Sequence, residues 1–255
     1  MTQVFDCSDE QQRKDGLAAA QETLADGRLV VIPTDTVYGL AADAFSVAGV
    51  ERIFEAKGRG RDMPPPVLVP NPRTVDGLAM ATPSYVRRLI KEFWPGGLTI
   101  VVRAQQSLSW DLGDTNGTVG LRMPDDDVTL SLLAETGPLA VSSANRTGQD
   151  PASTVTEAGF MLGGFVDAYL DAGERPGGTP STIIDCTKPD PVVLRVGAIS
   201  VERLRAALGE GVELIAPDDD NNAGRAGERA SASRVETTDD DPDLDDTDPT
   251  PSNER

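Results

Sequence analysis

Short apolar runs alternate with amphipathic stretches for most of the chain, and the pattern predicts a sheet with helices packed on it. Residues 10 to 26 set Leu17, Ala20 and Leu24 at helical spacing with Gly27 as a stop. Leu29 to Pro33 follows as a buried strand. Val47 to Lys57 is a second helix carrying Val50, Ile53 and Phe54 on one face, and Val67 to Val69 is the next strand. Helices are expected at 72 to 81 and 83 to 93, the second closing at Pro95-Gly96-Gly97, before a strand from Leu98 to Arg103 and a loop from Gln105 to Gly117. Thr118 to Met123 alternates as a strand does, Asp126 or Asp127 can cap a helix running through Glu135, and Leu139 to Val141 is another buried run. Helix 154 to 162, strands 166 to 170, 181 to 186 and 191 to 196, and helix 200 to 209 complete the order. Strands and helices alternate irregularly, which predicts an α/β fold with a twisted mixed sheet rather than a strictly parallel one.

The pattern stops near residue 215. From Ala216 to Arg255 there are 13 acidic and 4 basic residues, no aromatic residue and almost no large aliphatic ones. Such a segment cannot bury enough surface to offset chain entropy. The expected organisation is one domain over 1 to 215 and an acidic, unfolded tail over 216 to 255.

Composition narrows the chemistry. The net charge of -19 argues against broad, non-specific affinity for nucleic acid. Cys7 and Cys186 are the only cysteines and lack metal-site spacing, which fits a reducing cytoplasm. No apolar run approaches the ~18 residues a membrane span needs, so no membrane partner is expected. There is no histidine, which removes Ser-His and Cys-His nucleophile pairs. Chemistry driven by positioning and charge neutralisation remains, as in phosphoryl and nucleotidyl transfer.

Polar groups cluster where apolar runs end. Pro33-Thr34-Asp35-Thr36-Val37-Tyr38-Gly39-Leu40 offers three hydroxyls in five residues; in an extended segment Thr34, Thr36 and Tyr38 share a face, and otherwise they form a turn in which Asp35 caps backbone. Lys57-Gly58-Arg59-Gly60-Arg61 can wrap phosphate oxygens or can simply dress a helix C-terminus with cations. Neither a Gly-x-x-x-x-Gly-Lys-Ser/Thr loop nor a Gly-x-Gly-x-x-Gly turn is present, so phosphate binding would need another geometry. Thr118 and Arg122 share one face of their strand, where the arginine needs an anion: a ligand carboxylate or a nearby aspartate. Ser143, Asn145, Ser181 and Arg195 repeat the theme at other element ends, which describes a lined cleft.

Pro33 to Leu40, Lys57-Gly58-Arg59, Thr118 to Pro124, Ser143-Ala144-Asn145, Pro180 to Asp185 and Leu194 to Gly197 together resemble the YrdC-like family of threonylcarbamoyl-AMP synthases, over roughly residues 13 to 208. The resemblance implies a twisted mixed sheet around a broad basic cavity. It also implies an enzyme, a nucleotidyltransferase that makes threonylcarbamoyl-AMP and pyrophosphate from L-threonine, bicarbonate or CO2, and ATP, with Mg2+ accompanying the nucleotide. The product would pass to a threonylcarbamoyl transferase that modifies the tRNA adenosine beside the anticodon.

Carried over by position, Thr36, Arg122, Ser143 and Ser181 match threonine-contacting residues, with Arg122 taking the α-carboxylate. Arg59, Thr118, Asn145, Ser153 and Arg195 match ATP contacts. Lys57 belongs to the same basic motif and is expected, with Arg59, to face the phosphates; Thr34, Tyr38 and Arg61 are further cleft candidates. The chain departs from the family at Gly60, where proline is usual, at Met63-Pro64-Pro65, where Asn-Pro-Leu is common, and at Leu68, which aligns with a histidine. It looks like the family's short form. Two other readings are an RNA-binding module using the same basic cavity, with direct RNA contact, and a paralogue of unassigned activity.

Overall fold

The computed structural model describes residues 2–175 and 179–217. The strands are β1 (Gln3–Asp6), β2 (Val30–Ile32), β3 (Gly39–Asp43), β4 (Val67–Leu68), β5 (Leu98–Arg103), β6 (Thr118–Arg122), β7 (Leu139–Ser143), β8 (Ala168–Asp171), β9 (Thr182–Asp185) and β10 (Val192–Arg195). The helices are α1 (Glu10–Ala25), α2 (Val47–Lys57), α3 (Val75–Leu78), α4 (Ser84–Phe93), α5 (Asp127–Thr136), α6 (Val155–Leu162) and α7 (Val201–Leu208). All ten strands join one mixed sheet in the order β1-β8-β2-β3-β7-β4-β6-β5-β9-β10. The expected twisted mixed α/β architecture is therefore the one observed.

Local chemistry sets the helix ends. Asp9 accepts the Gln12 N–H at 2.8 Å to open α1, Ser46 caps α2, and of the two candidate aspartates it is Asp126 that caps α5. α2 stops at Gly58, whose φ of 61° lies in the left-handed region that glycine enters without steric cost.

Three readings of the pattern need correction. The pattern does not predict β3: Gly39-Leu40-Ala41-Ala42-Asp43 lacks the β-branched and aromatic residues that mark strands. Its small residues answer to packing instead, since a Cβ on Gly39 would lie 2.6 Å from Cγ1 of Val141 on β7, and Gly49 of α2 sits against Ala42. The pattern does not predict β1, which is four residues long and mostly exposed. The helix expected over 72 to 81 is a 3-10 turn at Pro72–Thr74 followed by the single turn of α3, and Ala79 then bridges to Ala104. The acidic segment from 218 to 255 lies outside the described residues.

Two hydrophobic clusters cover opposite faces of the sheet. The larger packs α2, α4, α6 and α7 against Ile100, Val102, Val119, Leu121 and Ile184. The smaller packs α1 and α5 against Val30, Ile32, Leu68, Leu139 and Val141. No residue of β5, β6, β9 or β10 belongs to the smaller cluster. Because side chains alternate across a strand, Thr99, Thr118 and Arg122 therefore project from the face opposite the larger cluster, onto a surface that α1 and α5 leave uncovered.

Candidate active site

The loop between β2 and β3 folds as a hydroxyl-locked turn. The Thr34 hydroxyl donates to the Val37 carbonyl at 2.6 Å while its oxygen accepts the N–H groups of Thr36 and Val37, each at 3.2 Å. The Thr36 hydroxyl lies 3.0 Å from Thr34 Oγ1. Thr34 has already spent its only proton, so Thr36 is the donor in that pair. Its oxygen in turn accepts from Arg122 Nη1 at 3.1 Å.

Arg122, at the end of β6, is held on three sides. Nε donates to the Gly96 carbonyl at 3.0 Å, Nη1 to Thr36, and Nη2 to Asp35 Oδ1 at 2.6 Å. Asp35 Oδ1 also accepts the Asp125 N–H at 3.0 Å, and Thr129 Oγ1 donates to the Pro33 carbonyl at 2.5 Å, so the start of α5 grips the turn. Of the two partners foreseen for Arg122, the aspartate is the one in place. Burial lowers the Arg122 pKa, opposed by the charge and hydrogen bond of Asp35.

Arg195, on β10, sits beside this group. Its Nε and Nη2 donate to the Ser181 carbonyl at 3.1 and 2.8 Å, and Nη2 reaches Ser181 Oγ at 3.2 Å. Ser181 Oγ is 2.9 Å from Thr99 Oγ1. Burial lowers the Arg195 pKa, and the positive charge of Arg122 lowers it further. Gly197 is required here: its N–H donates to Thr182 Oγ1 at 2.8 Å, and a Cβ at that position would lie 2.2 Å from the Pro180 carbonyl oxygen.

A second cationic group closes the other side. β3 and β7 pair with Gly39 opposite Ser143, and the Ala144 N–H donates to the Tyr38 carbonyl at 2.8 Å, so Ser143-Ala144-Asn145 runs beside the turn. Lys57 Nζ donates to the carbonyls of Ser143 at 2.5 Å and Asn145 at 2.7 Å, with Asn145 Oδ1 at 3.4 Å. This ammonium, expected to face phosphates, is only 3% exposed and is engaged in holding the end of β7. Burial, and next the charge of Arg59, push its pKa down to about 7.

Arg59 is different. Its Nε and Nη2 are buried without a hydrogen-bond partner, its guanidinium lies 5.9 Å from the centre of the Phe54 ring, and burial lowers its pKa to about 10. A cation with unmet donors is a receptor for an anion.

Several candidates are turned to other tasks. Tyr38 does not join Thr34 and Thr36: the segment is bent, and its hydroxyl donates to the Gly173 carbonyl at 2.7 Å. Arg61, a cleft candidate, is ion-paired with Glu51 and Asp111. Thr118 Oγ1 donates to the Thr115 carbonyl at 2.8 Å. Asn145 Nδ2 donates to the carbonyls of Arg146 and Gln149, shaping the loop that follows. The Ser153 hydroxyl bonds Glu157 in the capping box of α6, and it borders a cavity of about 510 Å³ between α6 and the Glu174-Arg175 segment. Leu68, where a histidine aligns, is 3% exposed in the smaller cluster, so it adds apolar packing and no polar contact. Asp35 was not singled out from the sequence as part of the site. Its signal was present in an arginine that needs an anion, but the two residues are 87 positions apart.

The fold and site define a mixed α/β protein that gathers hydroxyls and guanidinium groups on the open end of its sheet, without a P-loop or a Rossmann turn. The chain belongs to the Sua5/YciO/YrdC family, whose profile, described as "Telomere recombination", matches residues 22–197. A Mycobacterium leprae relative is 52% identical over 209 residues, spanning 82% of this chain and 95% of that protein. The Bacillus subtilis protein named threonylcarbamoyl-AMP synthase is 35% identical over 207 residues, spanning 80% of this chain and 60% of that one. The crystal structure of Pyrococcus abyssi Sua5 complexed with L-threonine superposes with a TM-score of 0.76 at 31% identity, covering 84% of this chain and 62% of Sua5. This chain thus spans about three fifths of the longer Bacillus and Pyrococcus proteins and nearly all of the mycobacterial one.

Proposed function

We propose that this chain is a threonylcarbamoyl-AMP synthase, a nucleotidyltransferase that supplies the activated intermediate for threonylcarbamoyladenosine formation in tRNA. The amine of L-threonine adds to CO2 and loses a proton, giving a carbamate. A carbamate oxygen then attacks the α-phosphorus of ATP, and pyrophosphate leaves. No protein nucleophile is needed, so a site without histidine suffices, and orientation with charge neutralisation carries the catalysis.

The observation that carries this reading is the pairing of two cation groups along one turn. Arg122 keeps two of its five N–H groups, one on each terminal nitrogen, after its three internal hydrogen bonds, which suits a carboxylate. Thr36, having given its proton to Thr34, offers an acceptor to the substrate's amine or hydroxyl. The unmet donors of Arg59 suit phosphate oxygens, with Lys57 fixing the Ser143 to Asn145 backbone beside them. Thr118, Asn145, Ser153 and Arg195 remain the proposed ATP contacts, and Ser143 and Ser181 the proposed threonine contacts. Among the described residues no trio of acidic or cysteine side chains could hold a metal, so Mg2+ would arrive on the phosphates of the nucleotide. No helix among the described residues is long and apolar enough to cross a membrane, and the proposed place of work is the cytoplasm.

The test is pyrophosphate release from ATP, Mg2+, bicarbonate and L-threonine, with L-serine and no-amino-acid controls. Release that requires both threonine and bicarbonate is expected. ATP binding without release would favour the paralogue or RNA-binding reading, with the Gly60 to Leu68 segment as its cause.

A further inference from the structure

β5 lies between β6 and β9 in the sheet, and Thr99 on β5 reaches toward both neighbours. Its methyl faces β6, where a Cβ on Gly120 would lie 3.3 Å from Thr99 Cγ2, and its hydroxyl lies 2.9 Å from Ser181 Oγ, just before β9. Thr99 is 1% exposed, and among the described residues Ser181 Oγ is the one hydrogen-bond partner of its hydroxyl. With Ser181 as donor, the Thr99 proton would be buried without an acceptor, an arrangement that native interiors avoid. Thr99 is therefore the donor. Arg195 Nη2 donates to the same oxygen at 3.2 Å, so both lone pairs of Ser181 Oγ are filled from within the protein. The Ser181 proton has no acceptor among the described residues and is left for a ligand.

We infer that Thr99 is a positioning residue that makes Ser181 a pure donor, aimed at an anionic oxygen of the amino-acid substrate. This inference rests on the synthase reading, in which Ser181 contacts threonine. The surroundings set the charge of the acceptor. Ser181 Oγ accepts from one guanidinium, and Arg122 stands close enough to lower the pKa of that group, so an oxygen meeting this hydroxyl is held best when it is negative. Two such oxygens occur along the proposed reaction, one on the α-carboxylate of threonine and one on the carbamate formed from its amine. Arg195 Nη1 makes no hydrogen bond among the described residues and stays open to the nucleotide that Arg195 is proposed to contact. Ser181 thus stands where amino-acid and nucleotide contacts meet. With both lone pairs occupied, it turns away a donor such as the substrate's ammonium and takes only an acceptor.

The experiment compares Thr99→Val, Thr99→Ser and Ser181→Ala with the wild type. Thr99→Val keeps the methyl beside Gly120 and loses the donor, whereas Thr99→Ser keeps the donor. In the pyrophosphate-release assay, Thr99→Val is expected to lower kcat/KM for threonine about three- to tenfold, with KM for ATP unchanged and Thr99→Ser close to the wild type. Threonine binding without bicarbonate identifies the acceptor: weaker binding in Thr99→Val assigns the α-carboxylate, and unaltered binding with slower release assigns the carbamate. Wild-type kinetics in Thr99→Val, or equal damage in Thr99→Ser, would overturn the inference. A second measurement does not depend on activity. In Ser181→Ala the Thr99 hydroxyl loses its acceptor, so Thr99→Val should lower the melting temperature of the wild type yet leave unchanged or raise that of Ser181→Ala. Equal losses in both backgrounds overturn the inference, whatever the enzyme does. If no threonine-dependent release is found but the two backgrounds differ in this way, the Thr99–Ser181 bond stands as assigned and the synthase reading alone fails.

Discussion

Single residues in the site are poised in ways that a ligand-free measurement can detect. Arg59 buries donors without partners, which costs stability in the ligand-free protein. Arg59→Met should therefore raise the melting temperature of the ligand-free protein, by on the order of 1 kcal/mol in stability, while abolishing ATP-dependent pyrophosphate release. Calorimetry together with the release assay checks both halves. Lys57 gives a pH signature. Its folded pKa of about 7 lies below the ordinary lysine value of 10.5, so the unfolded chain binds more protons between those values and stability rises with pH. Burial raises the pKa values of Cys7 and Cys186 from the ordinary thiol value of 9.0 to about 11 and about 12, which removes stability above pH 9. The Lys57 gain is thus read between pH 7 and 9. Melting temperature should climb more steeply there in the wild type than in Lys57→Met, and equal slopes would count against the burial-driven shift.

At the scale of elements, legibility followed packing demand. β6 and α2 are legible because apolar residues at period two or at helical spacing answer to one buried face, and β5 because an apolar run follows Pro95-Gly96-Gly97. β3 is not, because neighbours on both faces force glycine and alanine where strand propensity asks for larger residues. The site divides in the same way. Hydroxyls at strand ends are visible in sequence, whereas the Arg122–Asp35 pair and the Lys57 grip on β7 are cross-sheet contacts without a local pattern. Between β10 and α7, Gly197 lets the chain cross Pro180 and Ser181 at close range. Gly197→Ala should cost several kcal/mol, of the order seen for overpacked cores, and should weaken threonine use more than ATP binding because Ser181 and Arg195 flank the clash. Chemical denaturation and separate KM values for the two substrates provide the check.

For the whole molecule, every residue proposed for the site lies between Thr34 and Arg195, on the sheet or its connections. A chain ending at residue 217 should keep its melting temperature within a few degrees and most of its pyrophosphate release; loss of activity with an intact fold would place part of the site in the deleted residues. The strand order carries one further consequence, for synthesis of the chain. β1 pairs with β8 across more than 160 positions, and Arg195 joins a cavity begun by Thr34. Contacts of such sequence separation close slowly and only after the distant partner exists. On the ribosome, the nascent chain holds its turn, its basic motif and most of its helices for some time before the last strand emerges. A protein stopped short of β10 leaves the edge of β9 unpaired, and Arg122 and Arg195 come together only when translation is nearly complete.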